Sequence, residues 1–100
     1  MPLEEKSFEM IKTTALMAEK LAYDYFTVTD HLYPMGYGPY SDYPLECWTT
    51  LASIAAITNR IKVGSLVTCG LYRNPAMLAK IATTVDIISK GRLIFGIGAG

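Results

Sequence analysis

The sequence predicts an α/β fold in which three parallel strands alternate with three helices, in the order α-β-α-β-α-β. Strand patterns start near residues 25, 61 and 92, and a helical pattern precedes each of them. Apolar residues make up 51% of the 100 residues, a share that suggests burial on more than one face. Strand and helix units connect right-handed, so the carboxyl ends of the strands share one edge. An eight-stranded barrel and an open doubly wound sheet both build their sites at such an edge.

The first helix is predicted over residues 5–22, where apolar side chains recur every three or four residues. Its buried stripe consists of Phe8, Ile11, Ala15, Ala18 and Ala22. The β-branched and aromatic run 25–29 predicts a strand that ends at Asp30 and His31. Residues 31–44 contain three prolines, two glycines and four tyrosines, which predict an ordered loop. This loop exceeds the usual connection of about 2–6 residues, which suggests a function.

The second helix is predicted over residues 45–58, with Pro44 near its first turn and Glu46 placed favourably for the helix dipole. Its apolar residues at helical spacing are Trp48, Leu51, Ile54 and Ala55. Residues 60–69 then predict a second strand that is apolar enough to be covered on both faces.

The third helix has the clearest boundaries, because Asn74 suits the N-cap, Pro75 the first turn and Gly91 the C′ position. Its expected buried stripe consists of Leu78, Ile81, Ala82, Val85 and Ile88. Residues 92–97 predict the third strand, and the glycine-rich residues 98–100 follow it.

Composition excludes several classes of function. Nine basic and nine acidic residues give zero net charge, which argues against binding to nucleic acid or to an anionic membrane. No apolar stretch approaches the roughly 20 residues of a membrane span, and the acidic start is unlike a secretory signal, so we expect a cytoplasmic protein. Cys47 and Cys69 lack the spacing of a metal-ligand set, so we expect no metal site and two reduced thiols.

Asp30 and His31 are the leading candidates for chemistry, because an acid and the chain's one histidine adjoin at the end of a strand. A neutral imidazole can accept a proton at cellular pH, and a neighbouring acid can orient it or contact a cofactor. A solvated pair at a turn has about equal weight, since neighbouring residues of a strand point to opposite faces.

Other candidates keep two interpretations. Residues 64–67 suit either a bulge that approaches a flat ligand or a glycine needed for packing. Residues 96–100 resemble the start of a dinucleotide phosphate loop, but a tight turn at a barrel mouth is favoured. Arg73 could meet a phosphate, although pairing with solvent or a carboxylate is commoner. The loop tyrosines could wall a pocket or pack on the scaffold; they are Tyr33, Tyr37, Tyr40 and Tyr43.

Six collinear segments together resemble the bacterial luciferase-like superfamily. Within it, the Thr-Asp-His-Leu segment at residues 29–32 is most similar to oxidoreductases that use the deazaflavin coenzyme F-420. The resemblance implies a (β/α)8 TIM barrel with an isoalloxazine-type ring at the carboxyl ends of its strands. The matching segments are residues 18–24, 28–32, 48–52, 60–64, 72–80 and 91–100.

The resemblance also implies roles for particular residues. His31 resembles the active-site base, and Asp30 resembles a contact to the deazaflavin. Ser65 and Leu66 correspond to a bulge whose non-prolyl cis peptide lies behind the ring. The loop after the fourth strand of the family, which also touches the ring, corresponds to Ala99 and Gly100.

Family members usually have a strand before the first helix and four more strands beyond residue 100. We therefore expect residues 1–100 to form one segment of the barrel, without its first and later strands. The predicted function is hydride transfer between a small organic substrate and coenzyme F-420. The alternatives are an FMN-dependent monooxygenase of the same superfamily and a non-catalytic fragment that self-associates. Unpaired strand edges favour association, so we also expect a homo-oligomer.

Overall fold

The computed structural model describes residues 3–32 and 44–99. They form three helices and five short strands, as an α/β arrangement with helices flanking parallel strands. In chain order the elements are α1 (Leu3–Lys20), β1 (Tyr25–Val28), α2 (Cys47–Ile57), β2 (Lys62–Ser65), β3 (Thr68–Cys69), α3 (Pro75–Ile88), β4 (Leu93–Ile94) and β5 (Ile97–Gly98).

The strands make two parallel sheets. The larger has the order β1-β2-β4, and the smaller pairs β3 with β5. Val28 lies opposite Ser65 in the first pair, and Gly64 lies opposite Ile94 in the second. The prediction of an α/β fold with parallel strands is therefore confirmed.

The second and third predicted strands are each interrupted. A bulge at residues 64–67 was one of two interpretations of the sequence, whereas an interruption within residues 92–97 was not predicted. The run 60–69 divides into β2 and β3 around Leu66 and Val67, and the run 92–97 divides around Phe95 and Gly96. The interruptions adjoin, because the Thr68 amide donates to the Gly96 carbonyl at 2.7 Å. After the two interruptions, β3 and β5 pair with each other in parallel and form the second sheet.

The core lies around α2, which contacts α1, α3, β1 and β2. All four residues of its predicted stripe are buried, so that prediction is confirmed. The α3 stripe is buried at Leu78 and Val85 and half-buried at Ile81 and Ala82. Ile88 is exposed, contrary to expectation, because it lies in the last turn of α3 and lines an open groove beside α2.

The helix ends follow local capping chemistry. The Glu46 carboxylate accepts the Thr49 amide as the N-cap of α2, and the helix begins at Cys47, two residues later than predicted. Asn74 caps α3 as predicted, with its side-chain oxygen 2.9 Å from the Ala76 amide. Gly91 has a φ of +84°, but Ser89 is the C-cap, so the C′ position belongs to Lys90.

Polar clusters at the amino ends of the strands hold the scaffold together. The Glu19 carboxylate accepts the backbone amides of Asn59, Arg60 and Ile61 at 2.8–3.1 Å. The Arg92 guanidinium donates to five acceptors, including the Ala55 and Thr58 carbonyls at the end of α2. These bonds satisfy terminal carbonyls and amides at the end of the sheet opposite the candidate site.

Within the described ranges, no helix combines the length and apolar character needed to cross a bilayer.

Candidate functional site

The carboxyl ends of the strands come together at one edge. The Leu66 amide donates to the Val28 carbonyl at 3.0 Å, and the Gly70 amide donates to the Gly98 carbonyl at 3.0 Å. Because all pairs are parallel, this edge carries Asp30 after β1 and the end of β5. The structure thus brings the acid–histidine pair, the interruption after Ser65 and the glycine-rich segment to the same end of the sheet.

Asp30 is buried and its carboxylate is fully engaged. Oδ2 accepts the Arg73 Nη1 at 2.6 Å and the Cys69 amide at 2.9 Å, while Oδ1 accepts the Arg73 Nη2 at 2.9 Å. The hydrogen bonds from Arg73 hold the pKa of Asp30 below its usual value, and they outweigh the opposing effect of burial. Asp30 is therefore a buried carboxylate that stays ionised, and its contact with a cofactor stays a prediction.

Arg73 pairs with carboxylates, which was one of its two sequence interpretations. It forms ion pairs with Asp30 and with Glu46, from opposite ends of the β1–α2 connection. Its hydrogen bonds to Asp30 are the main cause of a raised pKa, so the guanidinium stays charged. Glu46 was predicted only to favour the terminus of α2, and no pattern in the sequence indicates that this residue also binds Arg73.

Glu46 connects this ion-pair network to α2. Its Oε1 accepts the Thr49 amide at 2.7 Å and the Thr49 hydroxyl at 2.9 Å, while Oε2 contacts Arg73. Burial by itself raises the pKa of Glu46, but the Thr49 and Arg73 hydrogen bonds hold it below its usual value. We call Asp30, Arg73 and Glu46 the arginine clamp.

His31 directly follows Asp30, the buried acid of the arginine clamp, and is itself half-buried. An imidazole that is partly open to solvent at the end of a parallel strand can exchange a proton with a bound molecule. Its catalytic role stays a prediction.

The interruption after β2 exposes Leu66, one of the two predicted residues, together with Val67, while Ser65 turns inward. Ser65 is buried, and its hydroxyl lies 2.5 Å from the Thr68 hydroxyl and 3.0 Å from the Gly96 carbonyl. Leu66 is 63% exposed and Val67 is 46% exposed. A cis peptide bond joins these two residues, one position after the predicted pair. We call Leu66 and Val67 the bend.

Val67 lies within the candidate bulge 64–67 but outside the predicted pair, because a β-branched residue in an apolar run also has the pattern of a strand interior.

Three glycines allow close approach around the bend. A Cβ at Gly64 would lie 2.3 Å from the Ile94 carbonyl oxygen, so this glycine is needed for strand packing. A Cβ at Gly96 would lie 2.6 Å from the Ser65 carbonyl oxygen, and one at Gly98 would lie 3.0 Å from a Val67 methyl group. The bend therefore packs against Gly96 and Gly98, which present no side chains there; we call these two residues the glycine surface.

Of the remaining predicted site positions, Ala99 is the one that the structure describes. Ala99 is exposed directly after β5, at the expected edge. Gly100 and the four loop tyrosines, Tyr33, Tyr37, Tyr40 and Tyr43, lie outside the described residues. Among the described residues there is no group of three or more histidine, cysteine or acidic side chains that could hold a metal ion.

A separate groove of about 550 Å³ lies between α2 and α3. It begins near Leu32 and Arg73, and its walls are mainly apolar, including Ile81. The buried Trp48 contributes to this groove, and its ring centroid lies 5.7 Å from that of Phe95. The groove flanks the helices and is distinct from the surface of the bend.

Residues 1–100 match the luciferase-like monooxygenase family. One relative is the pyrimidine monooxygenase RutA of Agrobacterium fabrum, which is 39% identical over 96% of the chain. Another is the F420-dependent glucose-6-phosphate dehydrogenase of Kribbella flavida, which is 34% identical over 86% of the chain. The chain covers 26% and 25% of these two relatives, so it spans about a quarter of their length.

A solved structure with the same arrangement is the coenzyme F420-dependent tetrahydromethanopterin reductase from Methanopyrus kandleri. It superposes with a TM-score of 0.75 at 31% sequence identity, and the match covers 93% of this chain and 24% of the reductase chain. The similarity therefore extends over the helices and strands described above.

Proposed function

The chain belongs to the luciferase-like monooxygenase family, and from this premise we propose that it forms part of an oxidoreductase site for coenzyme F-420. The proposed reaction transfers a hydride between a small organic substrate and the deazaflavin ring. The observation that carries the proposal is the common edge at which His31, the bend and the end of β5 meet. The F420-dependent relative and the F420-dependent reductase structure add support at the level of the cofactor.

The surface around the bend fits a flat, largely apolar ring. Leu66 and Val67 are exposed apolar residues, and Gly96 and Gly98 remove side chains that would stand out beside them. On this proposal Leu66 and Ala99 contact the ring directly, and Gly100 contributes beyond the described residues. Ser65 and Asp30, whose side chains are bonded elsewhere, act through their backbone and through the placement of their neighbours.

When bound, a deazaflavin ring supplies a two-electron hydride acceptor or donor. His31 takes the hydroxyl proton of the substrate at an imidazole nitrogen while the hydride leaves the carbon of that alcohol, which becomes a carbonyl. In the reductive direction His31 returns the proton to the carbonyl oxygen. The scaffold contributes by holding the substrate carbon and this nitrogen at the same edge.

Replacement of His31 tests the catalytic role. We expect His31→Ala to lower hydride transfer at least about 100-fold, within the usual contribution of a general base, and to leave F-420 affinity nearly unchanged. Transfer is followed by F-420 absorbance with glucose 6-phosphate and simple secondary alcohols as probes, and affinity by F-420 fluorescence. Equal loss of transfer and affinity, or loss of neither, would remove His31 from this role.

The FMN-dependent monooxygenase alternative is favoured by one observation, the 39% identity to a pyrimidine monooxygenase. Parallel titrations of the purified chain with F-420 and FMN, followed by fluorescence and absorbance, separate the two cofactors. We expect the lower dissociation constant for F-420. Tighter binding of FMN would replace the deazaflavin proposal with the monooxygenase.

The non-catalytic alternative is favoured by the exposed apolar surface. Met10, Leu71 and Ile87, on α1, the β3–α3 connection and α3, are 69%, 79% and 71% exposed. We propose that further strands of a (β/α)8 barrel, together with a second copy of the protein, cover such surfaces in the active enzyme. Size-exclusion chromatography with and without F-420 distinguishes this active assembly from self-association that does not depend on the cofactor.

A further inference from the structure

Arg73 has no part in the proposed reaction, yet it forms ion pairs with Asp30, next to the proposed base, and with Glu46. Resting on the proposed function, we propose that Arg73 is a positioning residue: by fixing Asp30, it holds His31 in register with the bend. The inference assigns no contact between Arg73 and the substrate or the cofactor.

The geometry places Asp30 between the two functional segments. Along the chain, Asp30 directly precedes His31, which is the proposed base. Across the sheets, the same carboxylate accepts the Cys69 amide at 2.9 Å, and Cys69 lies just beyond the bend. One side chain therefore connects the backbone that carries the base to the backbone that carries the ring-facing residues.

Burial makes this connection depend on Arg73. The Asp30 side chain is 1% exposed and the Arg73 side chain is 13% exposed. An ionised carboxylate at such a depth is costly unless a cation and hydrogen bonds satisfy it. Among the side chains that the structure describes, in residues 8–32 and 44–99, Arg73 is the cation of both ion pairs. Its removal would deprive Asp30 and Glu46 of the cation with which they pair.

The guanidinium shape suits this task. Nη1 and Nη2 of Arg73 each donate a hydrogen bond to one carboxylate oxygen of Asp30, and Nη2 also contacts Glu46. Glu46 in turn accepts the Thr49 amide, so the clamp fixes the end of β1 against the first turn of α2. A lysine would keep the charge but offers one compact ammonium group, which cannot reproduce this planar fork.

The test uses nuclear magnetic resonance of the full 100-residue chain, in which His31 is the only histidine and so gives unambiguous ring signals. In Arg73→Lys we expect hydrogen exchange of the Cys69 amide to accelerate about tenfold or more, because its acceptor is no longer held. We also expect F-420 to bind within about threefold of the unmodified affinity while the shift that it induces in the His31 ring signals is lost, since the base has left its register.

Arg60→Lys is the matched control. Arg60 also donates two hydrogen bonds, to the Glu19 and Tyr23 carbonyls, but it lies at the amino ends of the strands. Its replacement should leave the Cys69 exchange and the His31 shift unchanged. An equal effect of Arg60→Lys on both signals would show general loosening of the fold and would overturn the proposal.

If Arg73→Lys fails to fold, Glu46→Gln provides the same test, because its amide oxygen can still cap α2 while its charge for Arg73 is gone. We expect changes of the same kind and of smaller size at Cys69 and His31. A folded Arg73→Lys or Glu46→Gln chain with unchanged signals would overturn the positioning role. Absence of F-420 binding to the unmodified chain contradicts the proposed function instead, since the Cys69 exchange needs no cofactor.

Discussion

The charge of Asp30 gives the protein a defined response to acid. Its pKa is lowered from an ordinary value of 3.8, chiefly by the Arg73 hydrogen bonds. The folded state therefore binds fewer protons than the unfolded state near that pH. Ionised Asp30 stabilises the folded state, and this stabilisation is complete above pH 3.8. It is lost as the pH falls through 3.8 toward the lower pKa of the folded protein.

Replacement of the carboxylate tests this response. Asp30→Asn should lower the melting temperature at pH 7, because it leaves the half-buried Arg73 with a weaker partner. It should also flatten the fall in melting temperature below about pH 4, since the variant lacks a carboxylate whose protonation destabilises the folded state. Thermal melts of both proteins from pH 7 to pH 3 measure the two effects. A variant with the same acid slope as the unmodified chain would contradict the assigned ion pair.

At the residue scale, the sequence predicted the acid–histidine pair but not its partner. Asp30 and His31 stand out because they are neighbours at the end of an apolar run. Arg73 lies 43 residues from Asp30, and an ion pair across that separation leaves no periodic pattern in a single sequence. The network depends on how β1, α2 and the β3–α3 connection pack, which only the folded chain shows.

At the element scale, the bend depends on the glycine surface beneath it. Gly96→Ala would place a methyl group 2.6 Å from the Ser65 carbonyl oxygen, which cannot move without disturbing β2. Gly98→Ala would meet a Val67 methyl group at 3.0 Å, which can rotate away. We expect a loss of about 3 kcal/mol or more for the first variant and about 1 kcal/mol for the second.

Urea unfolding followed by circular dichroism measures these losses. The order of the two variants matters more than their absolute size. Equal losses, or a larger loss for Gly98→Ala, would mean that the backbone contact between Gly96 and Ser65 does not define the bend.

The helices were predicted more accurately than the strands for a physical reason. Caps are local, so Asn74 and Pro75 define the start of α3 from adjacent residues alone. The strand interruption at the bend arises from contacts with Gly96, about 30 residues later in the chain, and from the hydroxyls of Ser65 and Thr68. The local signal, Gly64, suits a bulge and a packing contact equally, so it did not place the break at Leu66 and Val67.

At the scale of the whole molecule, cofactor binding should stabilise the fold. A ligand that binds only the folded chain adds about 2.7 kcal/mol at 100 times its dissociation constant. For a domain of this size, that gain raises the melting temperature by roughly 10 °C or more. Differential scanning fluorimetry with F-420 measures the shift, and an unchanged melting temperature at saturating F-420 would favour the non-catalytic alternative.

The central claim is that the strand ends form one face for a flat ring. The most direct measurement is a map of backbone amide shifts in the full chain as coenzyme F-420 is added. We expect the largest shifts at residues 30–31, 66–67 and 98–99. Shifts confined to the groove between α2 and α3, or scattered over separate faces of the molecule, would contradict it.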